Sequence, residues 1–277
     1  MTLSVFLAVV GAAALHALWN AVVKQGQDKH TAMLAISLGH IPFALLTLPF
    51  VTWPSLASVP WLIASIVVHL AYQLALISSY RLGDFTLVYP VARGSAPALV
   101  TLVSLFALQE AFSGFQLLGV GLVVFGLFTL ALARDRQGTA SLRALVMALA
   151  TGTCIAGYSL IDGLGAIASG SAVGYWGLSA LGTSLALAGW TWFYRGDSLH
   201  AFGQTPSLWR SALLGGGASY LAYGLVIWAF TQAPIALVTA LRETSIVFAL
   251  LIGVLVMREK TSPVRIFAAL LLSLIHI

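Results

Sequence analysis

The sequence predicts an all-α polytopic membrane protein in which ten transmembrane helices form two inverted five-helix repeats around a central cavity. Hydrophobic residues make up 60% of the 277 positions and charged residues only 8%, against about 25% charged in an ordinary soluble domain. Apolar runs long enough to cross a bilayer follow one another with short connections. Arg93 and Glu110 recur as Arg242 and Glu259 at one offset, since 242 − 93 and 259 − 110 both give 149.

Each apolar run is interpreted as a helix because lipid offers the backbone no hydrogen-bond partner and a helix satisfies its own groups. The polar segments between the runs are too short to form a separate soluble domain. The ten predicted spans are Leu3 to Val23, Ala32 to Val51, Trp61 to Ser79, Thr86 to Leu108, Phe115 to Leu132, Ala144 to Ile161, Ala172 to Phe193, Leu208 to Phe230, Ile235 to Val256, and Val264 to the last residue.

The recurrence assigns residues 1–136 to a first five-helix repeat and residues 137–277 to a second. Because five is an odd number of crossings, the second repeat enters the membrane in the opposite sense to the first. Secondary transporters often have this construction, with the substrate site near the bilayer midplane. With the 149 offset, Ala133 at the end of span five corresponds to position 282, five beyond Ile277, so the last helix is expected to be truncated.

The basic residues of the chain are distributed as membrane topology requires. The net charge is +5, but Lys and Arg stand singly or in small groups between apolar runs and form no continuous basic stripe, which argues against a nucleic-acid partner. The odd-numbered connections hold 11 of the 13 Lys and Arg residues. The positive-inside rule predicts that the odd-numbered connections lie on the cytoplasmic side of the membrane. The expected location is a plasma membrane, as in a bacterial inner membrane, crossed many times.

Two arginines are the principal candidates for substrate binding. Arg93 and Arg242 lie roughly 10 Å or more inside their spans, counted at about 1.5 Å per residue. An arginine at a helix centre costs about 2.5–3.5 kcal/mol to insert, so both are expected to face a cavity. Guanidinium groups stay ionised and bind carboxylates or phosphate-like groups bidentately, which predicts an anion site. The alternative is a structural clamp in which each arginine binds backbone carbonyls or a carboxylate such as Glu243. Glu243 is also a candidate coupling residue.

Residues near the ends and middle of the repeated spans are assigned gating or structural roles. Pro90 and Pro97 flank Arg93, and Pro97 cannot donate a backbone hydrogen bond to the Arg93 carbonyl, which predicts a bend there. A bend without substrate contact is the alternative. Glu110 and Glu259 close spans four and nine, where ionisation near the interface costs little.

Further polar residues within spans are candidates for the cavity wall. Each is more often an interhelical hydrogen-bonding residue than a ligand contact. Histidine also offers proton coupling near neutral pH, so His16 is a second coupling candidate. The candidates for substrate binding, besides the two arginines, are Trp19, Asn20, His69, Gln73, Tyr89 and Tyr223.

The combination of these features resembles the EamA-type members of the drug/metabolite transporter superfamily over essentially the whole chain. The residues that carry the resemblance are the opening His16-Ala-Leu-Trp-Asn20, the arginine of span four and the glutamates that close spans four and nine. The resemblance implies a basket of ten helices whose third, fourth, eighth and ninth members line the cavity. It also implies transport of amino acids, organic acids, drugs or phosphorylated sugars. The opening is similar to a subgroup linked to phosphonate use.

The predicted function is secondary active transport of a small anionic or zwitterionic metabolite by alternating access, and not an enzymatic reaction. An amino acid, an organic acid or a phosphonate-like solute would suit the arginines. No P-loop motif is present, and no cofactor or metal is expected. The alternatives are an intramembrane enzyme that uses His16, His69 or Cys154, and a lipid-handling protein with a lateral groove. The expected partners are the bilayer and the solute, with the chain as a monomer or a homodimer.

Overall fold

The structure is a computed structural model that describes residues 1–24, 28–82, 85–132, 142–196, 200 and 205–255. Helices account for most of this part of the chain, and no β-strand occurs within it. Span ten of the prediction and Glu259 lie outside the described residues.

The first half of the chain forms five long helices. Two short 3₁₀ turns, Leu48–Phe50 and Leu56–Ser58, connect the second helix to the third. The five helices are α1 (Leu3–Lys24), α2 (Lys29–Thr47), α3 (Val59–Leu82), α4 (Phe85–Phe106) and α5 (Gly114–Leu132).

The second half is more broken than the first. A π-helical turn, Ala212–Gly216, and a two-residue junction after Arg242 divide what the sequence presents as single spans. The helices are α6 (Leu142–Ser169), α7 (Ala172–Tyr194), α8 (Pro206–Ser211), α9 (Gly217–Phe230), α10 (Ile235–Arg242) and α11 (Ser245–Leu255).

Several helices begin at residues that satisfy otherwise unpaired backbone N–H groups. Ser113 and Gln116 form a reciprocal capping box before α5, with the Ser113 N–H donating to Gln116 Oε1 over 2.8 Å and the Gln116 N–H donating to Ser113 Oγ over 3.3 Å. Ser171 accepts a hydrogen bond from the Gly174 N–H at the start of α7. Local sequence therefore sets these boundaries without help from long-range packing.

Among the described residues, five helical segments are long and apolar enough to cross a membrane, which by length and composition indicates a helical membrane protein. Large apolar side chains such as Leu46, Phe106 and Phe193 are strongly exposed, as expected of surfaces that face lipid. The structure therefore supports five of the ten predicted spans by length and composition. Two further apolar segments, Val91–Phe106 and Gly114–Gly126, are shorter. The five segments are Leu3–Asn20, His30–Phe50, Leu56–Ser79, Leu142–Ser169 and Leu208–Phe230.

The helices divide between two compact units. The first unit consists of Met1–Leu70 and Ile161–Gln232, and the second of Ala71–Leu160 and Ala233–Ile277. Each unit therefore contains segments from both predicted repeats. Arg93 and Arg242, which correspond under the 149 offset, belong to the same unit.

Asp28 caps α2 and gives a prediction about stability and pH. Its carboxylate accepts hydrogen bonds from the backbone N–H groups of His30 and Thr31, each over 3.2 Å, and from the Thr31 hydroxyl. Burial opposes ionisation, but these bonds and the nearby Arg195 outweigh it and hold the pKa of Asp28 below its ordinary 3.8. The capping stabilisation is therefore present above that pH and lost as the pH falls through the lowered value.

Replacement of Asp28 by alanine is expected to lower stability by about 1 kcal/mol at neutral pH, because an N-cap acceptor is lost. Thermal unfolding in detergent measures the change, and the difference from wild type should shrink as the solution is acidified below pH 3.8. Asp28→Asn is the control, since asparagine keeps a cap acceptor without the charge. An equal loss in both variants at every pH would contradict the assignment.

Candidate functional site

Arg93 lies on α4 in the second unit, where it forms a buried ion pair. Arg93 is only 3% exposed. The Nε–H donates to Glu243 Oε2 over 2.8 Å, and Nη2 donates to Ser245 Oγ over 3.3 Å. One guanidinium therefore links α4 to the junction between α10 and α11.

Arg242 is the last residue of α10 and is equally buried, at 3% exposure. Its Nη2 donates to the Tyr158 hydroxyl over 3.3 Å, and its Cζ atom lies 5.8 Å from the centroid of the Tyr158 ring. Tyr72 packs edge-on against the same ring at 5.3 Å between centroids. The second guanidinium thus contacts Tyr158 on α6, whose ring favours a nearby cation. We call Arg93, Arg242, Glu243, Ser245 and Tyr158 the arginine cluster.

A short break in the helix brings Glu243 between the two arginines. The backbone N–H groups of Glu243 and Thr244 donate to the carbonyls of Ala240 and Leu241, each over 3.1 Å, so the chain tightens to 3₁₀ geometry after Arg242. The corresponding positions 94 and 95 lie inside the unbroken helix α4. Both arginines attract the Glu243 carboxylate electrostatically.

The Glu243 carboxylate is fully buried but satisfied on one side only. Oε2 accepts the bond from Arg93, whereas Oε1 has no hydrogen-bond partner among the residues that the structure describes. An unsatisfied buried acceptor costs about 1–3 kcal/mol, or more for a charged group. Within the arginine cluster, two buried guanidinium groups therefore lie near one buried carboxyl group.

Four other predicted residues, Gln73, Pro97, Tyr89 and Pro90, belong to the second unit. Gln73 is 7% exposed, and in the described part of the chain its Oε1 has no hydrogen-bond partner. Pro97 is buried within α4, which continues without a break to Phe106; Thr101 Oγ1 donates to the Pro97 carbonyl over 2.8 Å. The side chains of Tyr89 and Pro90 lie outside the described part, although both residues belong to α4.

Glu110 follows α4 at a half-buried position. Gln109, just before it, has a φ of 54°, and the Glu110 N–H donates to the Ser104 carbonyl over 2.9 Å, which turns the chain back after the helix. Glu110 Oε2 is buried and lacks a hydrogen-bond partner among the described residues. Its counterpart Glu259 cannot be compared because it lies outside them.

The three predicted residues of α1 satisfy one another locally. Trp19 Nε1 donates to His16 Nδ1 over 3.2 Å, and Asn20 Nδ2 donates to the His16 carbonyl over 2.8 Å. Their spacing of three and four residues along one helix permits these contacts. All three residues belong to the first unit.

The first unit contains a polar cluster that the sequence analysis missed. Asp162 on α6 is fully buried, and its Oδ2 accepts from the Tyr223 hydroxyl over 2.7 Å and lies 2.9 Å from His69 Nε2. Its Oδ1 accepts from the Tyr175 hydroxyl over 3.3 Å. We call Asp162, His69, Tyr175 and Tyr223 the Asp162 cluster. His69 and Tyr223 were predicted as substrate contacts, and here they contact a carboxylate.

A signal for Asp162 was present in the sequence. The predicted sixth span ended at Ile161, and this boundary is wrong, because α6 continues for eight further residues to Ser169. The apolar pattern Ala156 to Ala168 continues through position 162, so Asp162 interrupts a helix and does not end one. An ionisable residue inside a membrane helix is a functional candidate by default.

Comparison with known proteins establishes the fold alone. No family model matches the chain, and no curated protein matches it. Solved structures do match, among them one described only as a crystal structure of a protein, with a TM-score of 0.74 and 16% sequence identity over 99% of this chain and 95% of that one. At this identity the likeness carries no statement about ligand or activity. The chain therefore shares the backbone architecture of that protein.

Proposed function

We propose that the chain is a multi-pass secondary active transporter that moves a small anionic or zwitterionic metabolite across the plasma membrane by alternating access. In this proposal ten helices form two inverted repeats, and the chain is a carrier of the EamA type and not an enzyme. An amino acid, an organic acid or a phosphonate-like solute is the expected cargo.

The observation that carries the proposal is the composition of the arginine cluster. Arg93 and Arg242 are each 3% exposed, and both lie in the cluster around Glu243, whose Oε1 accepts no hydrogen bond from the described residues. Ionisable side chains buried in a membrane are costly and typically mark substrate or ion pathways. A carboxylate or phosphonate group fits the planar donors of Arg242, while a substrate ammonium group fits the open Oε1 of Glu243.

The division into units supports the proposed repeats. Residues 161–219 of the first unit correspond to residues 12–70 of the same unit, since 161 − 149 is 12 and 219 − 149 is 70. The arginines recur in the same way inside the second unit. Inverted repeats that contribute equivalent segments to one unit are the arrangement found in many carriers. The broken helix at Glu243 also supports it, because such breaks line substrate sites in transporters.

Replacement of Arg93 or Arg242 by glutamine is expected to reduce transport strongly. Each change removes charged hydrogen bonds worth about 1.5–3 kcal/mol, which corresponds to about 10- to 150-fold in affinity. Uptake of radiolabelled L-glutamate, L-alanine, succinate and methylphosphonate into proteoliposomes, under imposed ion gradients, measures the effect. Wild type is expected to take up at least one of these solutes.

Arg143→Gln is the matched control, because Arg143 is an exposed arginine of α6 in the same unit. It should transport at the wild-type rate. Equal uptake by all three variants and wild type would remove the arginine cluster from the mechanism. Absence of uptake by wild type under every gradient would refute the transport function itself. It would favour the two alternatives, an intramembrane enzyme and a lipid-handling protein.

A further inference from the structure

The Asp162 cluster is a second buried ionisable site, and its chemistry differs from that of the arginine cluster. Asp162 is 0% exposed and receives three hydrogen bonds in the described structure, from one imidazole and two phenol groups. Glu243, by contrast, pairs with an arginine, which stays ionised at any physiological pH. The partner of Asp162 is a histidine, whose charge changes most readily near neutral pH.

The cluster lies well inside the apolar segments of the first unit. Asp162 is seven residues from the end of α6, and Tyr223 is seven from the end of α9, or about 10 Å from each helix end. His69 lies ten residues from the end of the segment Leu56–Ser79. A net charge this far from the helix ends is costly in a membrane.

Binding of one proton removes that net charge. With a neutral imidazole and an ionised Asp162 the cluster carries −1, and with one proton added it carries zero, whether the proton resides on nitrogen or on oxygen. The two groups are 2.9 Å apart, so one proton between them can be shared by the pair. The His69 side chain is 12% exposed and Asp162 is not exposed at all, so His69 is the more accessible member of the pair.

The groups that the structure describes around the pair come from several helices. Tyr175 on α7 and Tyr223 on α9 donate to Asp162. The centroid of the Trp176 ring lies 6.4 Å from that of His69 and 5.7 Å from that of His40 on α2. His40 Nε2 is buried and has no hydrogen-bond partner in the described part of the chain.

One carboxylate therefore joins four helices, α3, α6, α7 and α9. An ionised carboxylate accepts hydrogen bonds at both oxygens, whereas protonation of either oxygen turns one acceptor into a donor. The hydrogen bonds that link the four helices must then rearrange. A ligand couples to a conformational change when it binds two arrangements of a protein with different affinity, and a proton at Asp162 would meet that requirement if the rearranged hydrogen bonds belong to a second arrangement.

From this geometry we propose that the Asp162 cluster is the proton-binding site that couples solute transport to a proton gradient. The inference rests on the proposed transport function and names its coupling ion. It assigns the coupling role to Asp162 and His69, in place of Glu243 and His16.

Two measurements on the protein in liposomes test the inference. The first is infrared difference spectroscopy during a titration between about pH 5 and about pH 9, the range in which a histidine-containing pair exchanges its proton. Wild type is expected to show carboxyl and imidazole bands that change together. Asp162→Asn should lose these changes, and Asp28→Asn should keep them, because Asp28 is a capping carboxylate outside the spans.

The second measurement compares accumulation with exchange, using whichever of L-glutamate, L-alanine, succinate and methylphosphonate wild type takes up. Wild type should concentrate the solute in response to a pH gradient. Asp162→Asn and His69→Gln should fail to concentrate it while still exchanging labelled for unlabelled solute across the membrane. If Asp162→Asn does not fold, as judged by thermal unfolding, His69→Gln provides the same comparison.

Concentrative uptake in Asp162→Asn equal to that of wild type would overturn the proton site and leave the transport function intact. A spectrum that does not change between the two ends of the titration would overturn it as well, since the cluster would then hold one protonation state. Absence of any uptake by wild type would instead refute the transport function. The three outcomes are distinct.

Discussion

Replacement of Glu243 by alanine is expected to destabilise the second unit by about 3–5 kcal/mol and to abolish transport. The change removes the carboxylate bonded to Arg93 and leaves two buried cations together. Removal of one partner from a buried ion pair carries a cost of this size because the remaining charge cannot return to water. Equilibrium unfolding in mixed detergent measures the loss of stability, and proteoliposome uptake measures the loss of transport.

The double variant Arg93→Met with Glu243→Leu separates stability from function. Apolar residues of similar volume avoid the desolvation cost of a buried pair, so the double variant should recover most of the lost stability. It should remain inactive, because the cluster has lost one of its two arginines. Recovery of transport together with stability would show that the pair is a structural clamp, which is the alternative interpretation of the sequence.

Replacement of Gly39 by leucine is expected to prevent folding of the first unit or to destabilise it by several kcal/mol. A Cβ atom at Gly39 of α2 would fall on the carbonyl oxygen of Ala212, in the π-helical turn, and one at Gly216 would lie 2.7 Å from the Gly39 Cα atom. These neighbours are backbone atoms, which cannot move aside as a flexible side chain can. Overpacking usually costs about 1–3 kcal/mol, and a backbone clash exceeds that range.

Gly189→Leu is the matched control for this packing prediction. Gly189 lies on α7 in the same unit, and a Cβ atom there would meet nothing within 4 Å. Expression level and thermal unfolding in detergent should be near those of wild type for Gly189→Leu and sharply reduced for Gly39→Leu. Similar melting temperatures for the two variants would contradict the close approach of α2 to the π-helical turn.

The sequence contained enough information to identify the arginine cluster but not its geometry. Two arginines separated by 149 residues, each inside an apolar run, are visible because a buried cation is rare in a membrane segment. Their placement in one compact unit agrees with that recurrence. The ion pair between Arg93 and Glu243 joins residues 150 apart in the chain, and the sequence alone left it as one option among several.

Three features were beyond sequence reasoning or were misjudged by it. The helix breaks after Arg242 although no proline or glycine occupies positions 243 and 244, so the local sequence did not predict the junction. The approach of Gly39 to Gly216 depends on tertiary packing. Asp162 was missed because the predicted helix ended at Ile161, one residue before it, whereas α6 continues to Ser169; helix ends are the least reliable part of such predictions.

The most direct measurement of the central claim is solute binding to the purified protein, followed by thermal unfolding of wild type, Arg93→Gln, Arg242→Gln and Arg143→Gln. A ligand that binds only the folded state stabilises it by about 2.7 kcal/mol at 100 times its dissociation constant. The account predicts that the solute identified by uptake raises the melting temperature of wild type and Arg143→Gln, and leaves that of the two cluster variants unchanged. Equal stabilisation of all four proteins would contradict it.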